Sequence, residues 1–153
     1  VTELASFGYG DFTVECFVQH TGNANDETLI SNRNAGGSNT MWSLHYFTTN
    51  NEPRWHTGLA EDGVSSVTTT PGTFHHIAVT RENGTHYMFI DGAHRATWTD
   101  SRNYSQILHL SVGEDDHAGV LNGFLDSVRV TYGVARYPGS SAFTAPTKAF
   151  PKR

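Results

Sequence analysis

The chain has 153 residues, with ten Lys and Arg against fifteen Asp and Glu, a formal charge of −5 and no run of basic residues. A phosphate-binding footprint needs concentrated positive charge, so nucleic acid is excluded as an expected partner, and no apolar stretch has the length that inserts across a bilayer. The lone Cys16 cannot form an internal disulfide, so stability must come from a core, and a chain of this length buries roughly 70% of the surface it exposes when unfolded.

Apolar and polar residues alternate with period two in short runs at 12–19, 28–32, 42–47, 54–59, 64–69, 74–81, 86–90, 95–98, 108–113 and 124–131. Gly, Asn, Asp and Pro clusters separate them, notably at 21–26 and 34–39. Many short strands with such punctuation predict an all-β sandwich of antiparallel sheets, with at most one helical turn, at 101–105. In the first run Cys16 alternates with Phe12, Val14 and Val18, which makes it a small core residue. The stretch 74–92, FHHIAVTRENGTHYMFIDG, predicts a hairpin whose Asn83-Gly84 pair forms a type I′ turn, closed by Asp91-Gly92. Tyr87 and Phe89 make the second face of this hairpin apolar too, so a C-terminal tail or another subunit is expected to cover it. Asp126 and Arg129, three apart on the last strand, are expected to face opposite sides. Three of the five prolines fall in 132–153, as suits an extended tail.

The hairpin, the later Gly123–Val130 run GFLDSVRV and the opening Phe7–Glu15 run FGYGDFTVE resemble the laminin-G-like branch of the concanavalin A-like lectin/glucanase superfamily. The resemblance implies a jelly roll of two antiparallel sheets over 1–137, with 138–153 as a tail packed on the same domain, and it implies that Asp126 fixes a neighbouring loop by accepting backbone N–H bonds. Tyr132–Tyr137 (YGVARY) and Phe143–Thr147 (FTAPT) are similar to an ending found in members from tailed phages and other viruses. Members usually carry one or two further strands before the opening run, which implies a longer or processed natural polypeptide.

Glucanases of this superfamily bear alternate carboxylates on one strand, as E-x-D-x-x-E or E-x-D-x-E, where they serve as nucleophile and acid. No such strand exists here; Glu61-Asp62 and Glu114-Asp115-Asp116 are predicted to lie in loops, so the expectation is a protein that is not an enzyme. The nine histidines have no nucleophile elbow to serve, and His75 and His76, adjacent on a strand, must point to opposite faces and are read as packing and hydrogen-bonding residues. No cofactor is required, although the acidic loop makes Asp115 and Asp116 candidate ligands for Ca²⁺.

Sugar binding needs an aromatic face beside planar polar groups. Trp55 flanked by Arg54 and His56, Tyr46 beside His45, and Trp98 near Asp100 and Asn103 supply that mixture, with Asn34 and Asn39 on a loop that could rim the site. The competing place for each aromatic is the sandwich core. These readings together predict a non-catalytic recognition or adhesion module that binds a glycan or host-surface polysaccharide, with a virion surface as its location and the extracellular or cell surface as the alternative. Two other readings stay open: a capsid or tail decoration protein whose contacts are neighbouring virion proteins or copies of itself, and a carbohydrate-binding module of a secreted glycoside hydrolase.

Overall fold

A computed structural model describes residues 6–22, 25–33, 41–47, 50–58, 60–105, 110–115 and 119–151. Ten strands follow in order: β1 (Phe12–His20), β2 (Glu27–Ser31), β3 (Trp42–Tyr46), β4 (Pro53–Thr57), β5 (Ala60–Val64), β6 (His75–Glu82), β7 (Thr85–Ile90), β8 (Ala93–Thr99), β9 (Ser111–Val112) and β10 (Gly123–Tyr132). They form two five-stranded antiparallel sheets, β10-β1-β6-β7-β8 and β5-β4-β3-β2-β9, the jelly-roll sandwich expected.

The turn chemistry accounts for the β6–β7–β8 meander. Asn83 and Gly84 have φ of 49° and 80°, and Asp91 and Gly92 have φ of 53° and 77°, so both two-residue connections have positive φ at each central residue, as a type I′ turn requires. Asp11 fastens the first turn by accepting the Asn83 N–H at 2.8 Å.

Between the sheets lies a run of stacked rings. Phe7 lies on Phe12 at 4.2 Å and on Trp42 at 5.3 Å, and Trp42 lies on Trp55 at 5.1 Å with only 6° between the planes. Such pairs contribute about 0.5–1.5 kcal/mol each beyond the area they bury. Cys16 is fully buried among them, and burial pushes its thiol pKa up, so it acts as a small hydrophobe. The β5/β8 side is closed by Trp98, whose ring stacks on His86 at 5.0 Å and presses against Gly63, where a Cβ would come within 2.5 Å of the indole.

The outer face of the first sheet is covered by the tail. Val134 and Tyr137 accept hydrogen bonds from Thr13 and Thr80 (each 3.0 Å), and the Phe143 N–H bonds to Gly92 O at 2.9 Å. Tyr137 and Phe143 stack at 3.7 Å, Phe143 packs on Phe89, and Phe150 on Phe17. Beneath them the buried carboxylate of Glu15 gathers His76 Nε2 (3.0 Å), the Tyr137 hydroxyl (2.8 Å) and the Arg129 guanidinium (2.7 Å). Burial alone would raise the Glu15 pKa, but these three hydrogen bonds and the Arg129 charge hold it below its ordinary value. His75, on the opposite side of the same strand, instead bonds Asp91 at 2.7 Å.

Four local expectations are corrected. The run 64–69 is a strand only at Val64: Ser66 has φ of 53°, and the Ser65 hydroxyl bonds the Val67 backbone, so the chain turns, while the acid-rich Ala60–Val64 segment supplies the strand instead. The stretch 101–105 contains no helical turn, because Tyr104 is held in a bridge with Gly8. Ser127, at φ 52°, forms a bulge in β10, so Asp126 pairs with Phe17 and Arg129 with Glu15, and both project to one face. Asp126 accepts from the neighbouring Ser127 hydroxyl at 3.1 Å instead of from a loop backbone.

Gly63→Ala is expected to displace Trp98 and to cost about 1–3 kcal/mol, read as a lower melting temperature with altered indole fluorescence. An unchanged melting temperature would mean that Trp98 does not rest on Gly63. A second expectation concerns acid. Burial, helped by the nearby Arg81, pushes the His86 pKa down to about 3, and burial also lowers that of His20. His86 therefore stays neutral in the fold at a pH where the unfolded chain takes up protons, the lowered His20 acts in the same direction, and stability falls as pH drops below about 6.5. Glu15 and Asp100 have lowered values, so their contribution is present above the unfolded carboxylate range and is lost as pH falls from that range through their lowered folded values. Thermal scans should show stability falling from pH 6.5 to 4.5 by up to about 1.4 kcal/mol per pH unit for each neutral histidine, with a shallower fall in His86→Leu. A flat profile would contradict the neutral buried histidines.

Candidate functional site

Side chains alternate along a strand, so what the core takes decides what the other face displays. On β3 the core takes Trp42, Leu44 and Tyr46, leaving Ser43 and His45 outward; on β4 it takes Trp55, leaving Arg54 and His56. Register aligns these outward residues into two rows. Ser31, Ser43, His56 and Glu61 lie across β2, β3, β4 and β5, and Thr28, His45 and Arg54 across β2, β3 and β4. The outer face of the second sheet is thus a continuous polar surface.

Its burial is graded. Thr28, Ser31, Ser43 and His45 are buried, His56 and Arg54 are half-buried, and Glu61, near the sheet edge, is exposed. The His45 and His56 rings meet edge to face at 5.7 Å, and Ser43 Oγ donates to Asp115 Oδ2 at 3.5 Å. The Arg54 guanidinium lies 3.6 Å over the Phe47 ring and pairs with Glu52 at 3.1 Å and with Glu61. Burial, then the neighbouring His56 and Arg33, push the His45 pKa down to about 4 against the pull of Asp26 and Asp115, so the imidazole is neutral at pH 7. Buried Arg33 has its pKa lowered by desolvation, with Asp115 opposing. His45 Nδ1, Thr28 Oγ1 and Arg33 Nε are buried without a hydrogen-bond partner among the described residues. Native proteins rarely leave such groups unsatisfied, and the usual partners are ordered water or ligand.

The aromatics expected to stack on sugar are placed elsewhere. Trp55 and Tyr46 are both fully buried. Trp55 Nε1 donates to the Tyr104 hydroxyl at 3.3 Å, and the Tyr46 hydroxyl accepts from Thr69 Oγ1 at 3.0 Å. Neither ring offers a face to a ligand, which corrects that expectation: the core needed their area more than the surface did. Trp98 is half-buried, but His86 and Gly63 occupy its ring. Asn34 and Asn39 lie outside the described residues, as does Asp116 of the calcium pair. Asp115 is described, and no group of three His, Cys, Asp or Glu side chains converges on a cation site among the described residues. The residues that form the polar face, His45, His56, Arg54 and Ser43, were visible as neighbours of the aromatics; the signal for them is the alternation itself.

The family profile that matches the chain, over residues 1–136, is described as the concanavalin A-like lectin/glucanases superfamily. Similar solved structures include domain 4 of AbnA, a GH43 extracellular arabinanase from Geobacillus stearothermophilus, in complex with arabinotriose. It is 15% identical, with a TM-score of 0.70 over 86% of this chain and 64% of that one. A CBM40 module of a Ruminococcus gnavus IT-sialidase bound to α2,3-sialyllactose is 15% identical, with a TM-score of 0.61 over 89% and 90% of the two chains. Domains LG4-5 of the mouse laminin α1 chain are 12% identical, with a TM-score of 0.62 over 95% of this chain and 43% of that one. The chain thus spans less than two thirds of the arabinanase and laminin chains, and at these identities the likeness is one of fold. No curated protein matches the chain.

Proposed function

The chain belongs to the concanavalin A-like lectin/glucanases superfamily, and from that premise we propose that it is a non-catalytic glycan-binding module whose site is the polar outer face of β2–β5. The observation that carries this reading is the polar surface from Thr28 and Ser31 to Glu61, with buried donors and acceptors on its inner part that no described residue satisfies. Half-buried His56 and Arg54 and exposed Glu61 are the groups a sugar reaches first; buried Ser43 and His45 lie behind them, Ser43 bonded to half-buried Asp115. Hydroxyl pairs are recognised by such closely set donors and acceptors, and the Phe47 ring beside Arg54 supplies a small apolar contact. The structural neighbours bound to arabinotriose and sialyllactose support a sugar ligand.

No catalytic role is assigned to the carboxylates on the strands. Glu15 is locked beneath the tail by His76, Tyr137 and Arg129, and Asp126 lies on the far sheet from the polar face. Binding is proposed to need no metal, and the module is proposed to work on a virion surface, a setting supported by the resemblance of its C-terminal segments to those of tailed-phage proteins. One observation favours the second reading, a decoration protein: Val112, Val120 and Phe124 are exposed near the β9/β10 edges of the sandwich, where Leu121 and Leu125 are only half-buried.

Titration calorimetry with arabinotriose and a panel of neutral oligosaccharides tests the proposal. Binding is expected in the wild type and should weaken by about 1–3 kcal/mol in His56→Ala and Arg54→Ala, with EDTA without effect. Absence of binding at millimolar ligand, or binding indifferent to both variants, would overturn it. In that event sedimentation showing stable self-association would favour the decoration reading.

A further inference from the structure

On the other side of the sandwich, where the tail crosses β10, lies a recess of about 430 Å³ lined by Arg129, Val130, Thr131, Tyr132, Arg136 and Pro151. We propose that it is a second binding site, separate from the polar face of β2–β5, which takes a single carboxylate-bearing sugar unit such as a hexuronic acid. The choice of a sugar as carrier of the carboxylate rests on the glycan-binding reading above.

Charge comes first. In a chain of net charge −5, no carboxylate lines this recess among the described residues. The bulge at Ser127 swings Arg129 into register with Glu15, and its Nε and Nη2 both reach Glu15 Oε1 at 2.7 Å, so that charge is balanced. Arg136 is different. Its Nε donates to Thr131 Oγ1 at 2.8 Å and its backbone N–H to Thr13 Oγ1 at 2.9 Å, and it has no acidic partner among the described residues. The guanidinium is therefore held by one edge, with both Nη groups left for a ligand, and the described lining carries one net positive charge. A planar fork of this kind matches a carboxylate in two parallel hydrogen bonds. Because Thr131 Oγ1 accepts from Arg136, its own hydrogen remains to be donated to the same ligand.

Shape limits the carrier. Arg136, from the start of the tail, and Pro151, from its end, both line the recess, so it suits a compact ring more than an extended peptide. Its volume lies at the small end of small-molecule sites, and Pro151 provides apolar surface for the C–H face of a pyranose, whereas Val130 and Tyr132 border it from β10 with their side chains packed on the core.

Glucuronate and glucose titrated separately into the isotope-labelled full chain, followed by amide NMR, test the site. Glucuronate should perturb residues 129–136 saturably while glucose does not. Its affinity should fall as NaCl is raised from about 20 to about 500 mM, and Arg136→Gln should weaken it about tenfold or more with the melting temperature unchanged. Equal responses to the two sugars, perturbation confined to other residues, or an unaltered affinity in Arg136→Gln would each overturn the site. If the variant does not fold, the wild-type map and salt dependence decide the matter alone. Neutral oligosaccharides added to the same sample report on the β2–β5 face, so failure of that reading is seen as loss of their response while the glucuronate response persists.

Discussion

Stacking of Phe7, Phe12, Trp42 and Trp55 between the sheets is the constraint from which the remaining arrangement follows. Truncating a core aromatic of this size typically costs about 3–5 kcal/mol, a large share of the stability of any small domain. Burying those rings fixes the orientation of β1, β3 and β4, and a one-residue slip would turn each ring out to solvent. The same orientation commits Ser43, His45, Arg54 and His56 to the outer face and Thr13, Glu15 and Phe17 to the opposite outer face. The polar surface proposed to bind sugar is thus the complement of the aromatic core, residue by residue.

The two outer faces use that complement differently. The first sheet buries its charges: Glu15 is enclosed by His76, Arg129 and Tyr137, and the aromatic pair Tyr137 and Phe143 seals them beneath the tail. A buried carboxylate is tolerable only when fully hydrogen-bonded, and here three donors meet it. In the outward rows of the second sheet His45 Nδ1 and Thr28 Oγ1 find no hydrogen-bond partner among the described residues, and neither does His76 Nδ1 on the first sheet, but here no tail lies over them among the described residues. Residues 1–136 match the family profile, so most of the strap that covers the first sheet lies beyond it.

Much of the fold was legible because its signals are local. Asn83-Gly84 and Asp91-Gly92 specify their turns through positive φ alone, and the alternation around Cys16 specifies which face of β1 is buried. What was hidden depends on context. β5, reading Ala-Glu-Asp-Gly-Val, has poor strand propensity and forms because its pairing with β4 and the seat for Trp98 at Gly63 hold it. The bulge at Ser127 inverts the facing of Asp126 relative to Arg129, and no composition signal marks a serine that adopts positive φ. At the site, a tryptophan flanked by Arg54 and His56 looks alike whether the ring or its neighbours face the ligand; only the pairing of β4 with β3 and the contact with Trp42 decide for the neighbours.

The central claim is that sugar is read by the outer face of β2–β5. Amide and imidazole NMR shifts recorded while a neutral oligosaccharide is titrated to saturation test it most directly. The account predicts perturbations concentrated at Ser43, His45, Arg54, His56 and Glu61, with the His56 ring resonances moving furthest. Saturable shifts confined to the loops around Tyr9 or Phe74, or to the β9/β10 edge, with this face silent, would contradict it.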